Sequence, residues 1–192
     1  MQTIETFKHF PAKVVYLAVI ILVAVGFSWY IHHKSLAAQT HYLQGNQFLK
    51  QGKLGEAAQE YEKAIRLKPG HLDAQNNLAN LLATHGKVEE AIKHYQKAIQ
   101  INPKYLEAQN NLGLALASAQ KFDEATKHYT KALKLLPKAP ELHNSFGTVL
   151  AQQGKLEEAA TQFSEAIKLH PDYQKAKQNL ELIQKQKTDS LK

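Results

Sequence analysis

The sequence predicts an all-α fold in which one N-terminal membrane-spanning helix is followed by a solenoid of repeated helix pairs. Two observations predict it: an uncharged apolar run near the N-terminus, and a 34-residue period over most of the remaining chain. The length of 192 residues excludes a large multidomain enzyme. Because the chain has no cysteine, it also lacks disulfides, thiolate nucleophiles and cysteine-ligated metal sites.

Residues 14–31 form an apolar run without a formal charge, after an N-terminal tail of residues 1–13. As a helix, this run rises about 27 Å at about 1.5 Å per residue, close to the roughly 30 Å hydrocarbon core of a bilayer. Tyr16 lies near one end, and Trp29 and Tyr30 near the other, as suits the two lipid–water interfaces. The run therefore predicts a single transmembrane helix.

A cleavable signal peptide is the alternative interpretation, because small residues follow the run at Ser35 and Ala37. The run exceeds the usual ~7–15-residue core of a signal peptide, which favours an uncleaved anchor. Lysines on the two sides of the run nearly balance, so they do not set its orientation. By analogy with uncleaved signal anchors, we expect a single-pass protein of a bacterial inner membrane with an extracytoplasmic C-terminal domain.

Four repeats follow the run, at residues 38–71, 72–105, 106–139 and 140–173, and together they cover 38–171 up to the last repeated proline. Prolines recur at intervals of 34 residues, and so do two alanine columns and one aromatic column. The prolines are Pro69, Pro103, Pro137 and Pro171; the aromatic column is Tyr61, Tyr95, Tyr129 and Phe163. Such a fixed period indicates an array of stacked units.

Each unit is predicted to contain two helices. In the second unit, the apolar spacing predicts helices over 72–85 and 88–101, separated by a turn at Gly86. The second helix ends before Pro103, because proline disfavours the helical conformation in the residue before it. The small Ala91 and Ala98 allow close helix packing around Tyr95, so the pairs are expected to be stabilised by stacking on one another.

These residues resemble the tetratricopeptide repeat (TPR) family in their period, their alanine–aromatic–alanine pattern and their terminal prolines. The resemblance implies a right-handed superhelical solenoid of four repeats plus a C-terminal capping helix at 174–187, with a tail at 188–192. One departure is Gln44, where the other repeats carry Leu78, Leu112 and Phe146. Because hardly any linker precedes the first repeat, residues 14–50 could form one continuous helix.

The resemblance also implies a binding groove, since the first helices of TPR arrays line a concave face that holds extended peptides. The predicted groove residues are Tyr42, Asn46, Asp73, Asn76, Asn77, Asn80, Glu107, Asn110, Asn111, Glu141, Asn144 and Asn179. Side-chain amides can both donate to and accept from a peptide backbone. The alternative, that these asparagines only join neighbouring helices, stays open. The three carboxylates favour a neutral or basic ligand over an acidic one.

Motifs for catalysis or cofactor binding are missing from the sequence. There is no P-loop, GxSxG, HExxH or glycine-rich nucleotide motif, so no cofactor, metal site or catalytic residue is predicted. His94 and His128 follow Glu90 and Glu124 by four residues, and we interpret these as solvated pairs on one helix face. The formal charge of +7 is spread, with lysines between glutamates, so nucleic-acid binding is not expected.

Together these features predict a non-enzymatic, membrane-anchored TPR adaptor. It would bind an extended segment of a partner protein in its groove and support the assembly of a membrane or envelope complex. The alternative is a self-assembling structural scaffold at a membrane, which leaves a homo-oligomer open. The fold alone does not identify the partner, because the same architecture serves many pathways.

Overall fold

A computed structural model describes residues 12–189 of the chain. Within this range the secondary structure consists of α-helices joined by short turns, without a β-strand. The helices are α1 (Ala12–Lys50), α2 (Leu54–Leu67), α3 (Leu72–Thr84), α4 (Val88–Ile101), α5 (Leu106–Ser118), α6 (Phe122–Leu135), α7 (Pro140–Gln152), α8 (Leu156–Leu169) and α9 (Gln174–Asp189). Four antiparallel pairs, from α1–α2 to α7–α8, stack in chain order, and α9 packs against the last pair.

The first helix is much longer than the others, at 39 residues. The predicted membrane span at 14–31 is not a separate element, because α1 runs on without a break into the first helix of repeat one. No proline interrupts this stretch. The predicted tail at 1–13 overlaps the start of α1 at Ala12, and residues 1–11 lie outside the described residues. The apolar side chains of the span stay exposed.

Alanine and aromatic columns form the centre of each helix pair. Tyr61, Tyr129 and Phe163 are almost fully buried, and they lie against Gly45, Gly113 and Gly147 on the facing helix. In the second repeat Ala79 faces Tyr95 in the same way, and both are buried. A glycine or alanine on one helix therefore makes room for the ring that the other helix supplies at each repeat.

The turn within each pair uses a backbone conformation that favours glycine. Gly52, Gly86 and Gly154 have φ angles of 73°, 77° and 75°. In the third repeat this position is Gln120, which adopts φ 59° with a side chain present. The turn still closes with the same hydrogen bond, from Lys121 N to Leu116 O at 2.9 Å, so the geometry is kept at the expense of local strain.

The two ends of the array differ from its middle. Gln44 is exposed, because among the described residues no helix pair precedes the first repeat. The equivalent residue of the second repeat, Leu78, packs on Tyr61 of the preceding pair. At the other end α9 extends to Asp189, so the predicted boundary at 187 is two residues too early. A salt bridge of 3.0 Å between Lys187 and Glu157 holds this last turn against α8. Residues 190–192 lie outside the described range.

Candidate functional site

The first helices of the repeats present the predicted groove residues on one side of the array. Among these helices α3 contacts α5, α5 contacts α7, and α7 contacts α9, so equivalent positions of successive repeats come close together. Apart from Tyr42 and Asn179 of the capping helix, the predicted residues fall into three sets. Some amides bridge neighbouring repeats, a second row of asparagines lies deeper, and the acidic side chains stay at the surface.

The bridging amides are Asn46, Asn77, Asn80 and Asn111, all half-buried. Asn46 Oδ1 accepts hydrogen bonds from Tyr61 Oη at 2.7 Å and from Asn77 Nδ2 at 3.2 Å. One repeat later, Asn80 Oδ1 accepts from Tyr95 Oη at 2.6 Å and from Asn111 Nδ2 at 3.0 Å. Each unit joins a tyrosine of the second helix to amides of two successive first helices. These bonds agree with the alternative that the asparagines stabilise neighbouring helices.

The tyrosine hydroxyls are hydrogen-bond donors, a role that the packing pattern around Tyr95 does not indicate. Burial raises the pKa of Tyr95 to about 12, so its hydroxyl stays protonated and acts as the donor. The signal was present in the sequence: a tyrosine follows a groove asparagine by 15 residues in both of the first two repeats. A shared spacing of this kind marks a contact between the two helices of one pair.

The deeper row consists of Asn76, Asn110 and Asn144. The expectation that all three line an accessible groove is wrong for two of them, because Asn76 and Asn144 are only 1% and 2% exposed. Their Oδ1 atoms accept from the amides of Asn111 in the next repeat at 3.3 Å and of Asn179 in the capping helix α9 at 3.0 Å. The next repeat or the cap therefore covers them and uses their acceptor atoms.

Asn110 occupies the same row but lacks this partner. Its Oδ1 atom is buried and has no hydrogen-bond partner among the described residues. The position that supplies the donor elsewhere is Ser145 here, whose side chain is shorter than asparagine. An unpaired buried acceptor costs about 1–3 kcal/mol, so this row is weakest between the third and fourth repeats.

The acidic residues Asp73, Glu107 and Glu141 are exposed. Tyr105 Oη donates to Asp73 Oδ1 at 2.8 Å and lies 3.3 Å from Glu107 Oε2, which links two of the carboxylates across repeats. Burial and then these two carboxylates raise the pKa of Tyr105, so the hydroxyl remains a donor. The three side chains form an anionic edge beside the bridging amides.

Tyr42 is a packing residue of the first repeat. Its ring lies 6.0 Å from the ring of Tyr61 and 4.8 Å from that of His71. Because these neighbours half-bury the ring, Tyr42 offers less surface to a ligand than the sequence position suggested.

An open depression of about 440 Å³ lies between α3 and α5. Its lining combines the amides of Asn80 and Asn111 with apolar surface from Leu114, Val88 and Tyr95. Leu114 is 37% exposed, so part of its apolar surface is open to solvent. The depression therefore offers hydrogen-bonding groups and a non-polar floor in one place.

The interpretation of Glu90–His94 and Glu124–His128 as solvated pairs is wrong. Both imidazoles point toward the first helix of their own repeat: His94 Nδ1 lies 2.6 Å from Gln75 Oε1, and His128 Nε2 lies 2.8 Å from the Gln109 carbonyl. Burial lowers the pKa of both histidines. In the described part of the chain, no group of three His, Asp or Glu side chains is placed to hold a metal ion.

The family follows from a match over residues 42–105 and 106–176 to the model described as tetratricopeptide repeat. The chain belongs to the TPR family. TPR proteins are protein-interaction modules that act as adaptors or scaffolds and are typically non-enzymatic. No curated protein sequence matches the chain.

Solved structures support the same fold, a TPR right-handed superhelical solenoid. MamA residues 41-end from Desulfovibrio magneticus RS-1 is 18% identical with a TM-score of 0.67, covering 80% of this chain and 86% of that one. PilF of Pseudomonas aeruginosa is 20% identical with a TM-score of 0.70, covering 83% and 72%. YrrB, described as a TPR protein with an unusual peptide-binding site, is 24% identical with a TM-score of 0.63, covering 84% of each chain.

The TPR array follows an apolar helical segment at its N-terminal end. Among the described residues, one helix is long and apolar enough to cross a membrane, and its most apolar stretch is not buried against the rest of the protein. A signal sequence near an N-terminus meets the same criterion.

Proposed function

We propose that this chain is a membrane-anchored TPR adaptor that binds an extended segment of a partner protein without chemical turnover. The observation that carries the proposal is the first-helix side of the array. There, exposed Asp73 and Glu107 lie on the same helices as the bridging amides and as the open depression at Leu114. By holding a partner segment near a bilayer, the protein would support the assembly of a membrane or envelope complex.

The chemistry of this side favours a neutral or basic ligand with an apolar side chain. Each bridging amide uses part of its hydrogen-bonding capacity inside the protein; no bond among the described residues uses Nδ2 of Asn46 or Nδ2 of Asn80. These two donors remain for the carbonyl groups of an extended peptide. The carboxylate edge attracts Lys or Arg, and the depression accepts a non-polar group. The peptide-binding site for which YrrB is described supports this use of the fold by analogy.

The test is a binding comparison between three sets of extended peptides, basic, neutral and acidic, with the full chain in detergent micelles. We expect basic or neutral peptides to bind more tightly than acidic ones. The double substitution Asp73→Asn/Glu107→Gln removes two charges but keeps oxygen acceptors for Tyr105, so it should weaken the preference for basic peptides. Tighter binding of the acidic set would overturn the assignment.

A matched control removes two charges elsewhere. Glu124 and Glu158 are exposed and lie on second helices, α6 and α8, so Glu124→Gln/Glu158→Gln should leave the peptide preference unchanged. A photo-crosslinking residue at Leu114 should label the bound peptide, whereas the same residue at the exposed Lys97 of α4 should not. Crosslinks from Leu114 to a second copy of the chain would instead favour the scaffold.

The membrane part of the proposal rests on the exposed apolar surface of residues 14–31 in α1. We expect the intact chain to float with lipid vesicles and to resist extraction by carbonate. Because the chain has no cysteine, Ser164→Cys on the exposed face of α8 becomes its single thiol. Labelling of intact cells by a reagent that cannot cross the inner membrane would place the array outside the cytoplasm, as we propose. A soluble chain shortened by about 35 residues would identify a cleaved signal peptide instead.

A further inference from the structure

The continuity of α1 fixes the height of the array above a bilayer. The apolar run ends at residue 31, and Ser35 follows four residues later in the same unbroken helix. Four residues of helix rise about 6 Å. The headgroup layer on each side of the hydrocarbon core is roughly 5–8 Å thick. If residues 14–31 fill the core, as the proposed membrane anchor requires, Ser35 lies at the depth of the lipid headgroups.

The turn between α2 and α3 is held at this same height. Lys68 Nζ donates a hydrogen bond to Ser35 Oγ at 3.3 Å. One turn higher on α1, His71 Nε2 lies 3.1 Å from Gln39 Oε1, and its ring packs on Tyr42. Because α2 runs antiparallel to α1, its C-terminal end points toward the bilayer. The Lys68 ammonium is therefore at headgroup level although it lies 37 residues beyond the apolar run.

The basic side chains at this level are Lys34 and Lys68, and the carboxylate beside the turn, Asp73, accepts a hydrogen bond from Tyr105 at 2.8 Å. Neither Lys34 nor Lys68 forms a salt bridge with a carboxylate in the part of the chain that the structure describes. Lys34 lies 5.2 Å from the centre of the Tyr30 ring. The nearby Arg66 is paired with Glu62 at 3.6 Å. No Asp or Glu occurs from residue 12 to residue 55, so α1 offers these lysines no counter-charge.

The position of Lys68 is specific to the membrane-proximal repeat. The equivalent turns of the array carry Asn102, Leu136 and His170. The backbone of the turn does not require a lysine at this position. In all four repeats the backbone N–H of this residue donates to an alanine carbonyl, for example from Lys68 and from Asn102, each at 2.9 Å. What distinguishes the first turn is its contact with α1 at Ser35 and Gln39.

We propose that Lys34 and Lys68 together bind the phosphate groups of anionic phospholipids. The patch would draw the α2 side of the first repeat onto the bilayer and tilt α1 in that direction. The tilt of the solenoid relative to the bilayer would then depend on the lipid charge, and so would the direction in which the groove faces. This inference rests on the proposed membrane anchor, and its test separates the two.

The experiment uses the full chain with the single substitution Gly70→Cys, carrying a fluorophore, in phosphatidylcholine vesicles with or without phosphatidylglycerol. A Cβ at Gly70 meets no atom within 4 Å, so the label is tolerated. A nitroxide on the lipid headgroups quenches the label when the turn touches the bilayer. Gln51→Cys, at the exposed turn between α1 and α2 and about 24 Å farther along the helix than Ser35, is the reference for a label distant from the bilayer.

We expect strong quenching at position 70 with phosphatidylglycerol, weaker quenching without it or at high salt, and little at position 51. Lys34→Gln and Lys68→Gln should each lower the ratio of docked to undocked protein about fivefold. Lys50→Gln/Lys53→Gln removes the same charge about 22 Å farther along the helix pair, so it should have no effect.

If quenching at position 70 did not depend on phosphatidylglycerol, or stayed unchanged in Lys34→Gln/Lys68→Gln, the proposed lipid-binding patch would be wrong. Flotation of the same vesicles separates this outcome from failure of the anchor. A chain that floats without charge-dependent quenching retains its anchor and lacks the patch, whereas a chain that does not float contradicts both. Circular dichroism of each variant checks that the helices are intact.

Discussion

Two junctions of the array, one between the second and third repeats and one between the third and fourth, share a backbone but differ in side-chain chemistry. At the first, Asn80 accepts hydrogen bonds from Tyr95 and Asn111. At the second, the positions of Asn80 and Asn111 are Leu114 and Ser145, and Tyr129 donates to the Asn110 carbonyl at 3.0 Å instead.

The second junction compensates by ring packing. Tyr129 stacks on Phe146 with ring centres 5.5 Å apart, whereas the first junction has Leu112 at the equivalent position. The repeat period therefore specifies where helices meet, while the side chains that join them can be polar or apolar. Polar bridging therefore stabilises particular junctions and is not a requirement of the fold.

The largest expected effect concerns the small residue opposite the ring. The second repeat accepts Ala79, but Gly113→Ala in the third would place a Cβ inside the Tyr129 ring. We expect the free energy of unfolding to fall by about 3 kcal/mol, because Tyr129 is fully buried between its neighbours. Urea unfolding of the full chain in micelles, followed by circular dichroism, measures it.

Gly55→Ala is the control for that substitution, since its Cβ meets nothing within 4 Å in α2. It should stabilise the protein by about 0.5–1 kcal/mol through helix propensity. Equal effects of the two substitutions would mean that the ring does not determine the need for glycine.

Asn80→Leu places at the junction of the second and third repeats the residue that the next junction has at the equivalent position, Leu114. The Tyr95 hydroxyl and the Asn111 amide lose their common acceptor, and Tyr95 is only 3% exposed. We expect a loss of about 2 kcal/mol in the free energy of unfolding. The reverse change, Leu114→Asn on a partly exposed site, should alter stability by less than about 0.5 kcal/mol. An unchanged free energy of unfolding in Asn80→Leu would show that these hydrogen bonds do not contribute to stability.

Gln120→Gly tests the strained turn of the third repeat. Glycine adopts φ 59° without a Cβ clash, so we expect the protein to gain about 1 kcal/mol. Gly86→Gln is the matched reversal in the second repeat, where φ is 77°, and should lose a similar amount. Differential scanning calorimetry of the two variants decides, and a destabilised Gln120→Gly variant would contradict the assignment of strain.

The smallest expected effect is the pH dependence of stability that His94 of the second repeat and His128 of the third repeat produce. Burial holds the pKa of His94 and of His128 below the ordinary value of 6.5, so the folded chain binds fewer protons than the unfolded chain. Their contribution to stability is complete above pH 6.5 and is lost as the pH falls through the folded pKa values. The melting temperature should therefore drop between pH 7 and pH 5.

His94→Gln/His128→Gln isolates this contribution. Its melting temperature should depend less on pH than that of the parent chain, and each single variant should remove part of the difference. A parent-like slope in the double variant would assign the pH dependence to another histidine, such as His71, whose pKa burial also holds below the ordinary value.

The groove was only partly predictable from the sequence. The period brought Asn77, Asn111 and Asn179 to equivalent positions, and it placed Asp73, Glu107 and Glu141 at one repeated position. It did not reveal that Asn76 and Asn144 are covered by the following repeat, because burial depends on how closely successive first helices pack. Nor did it identify the tyrosine hydroxyls as donors, since a column of aromatic residues is explained by packing alone.

The sequence by itself determined the helix pairs, their order and their turns. Proline, glycine and the alternation of small and large residues act over a few positions, so the chain carries these signals locally. The tertiary structure shows which amides bind one another, that Lys68 reaches Ser35, and that Oδ1 of Asn110 has no partner among the described residues. These contacts join residues 31 to 35 positions apart in the sequence. Helix packing sets the distance between such side chains, so the sequence pattern does not reveal it.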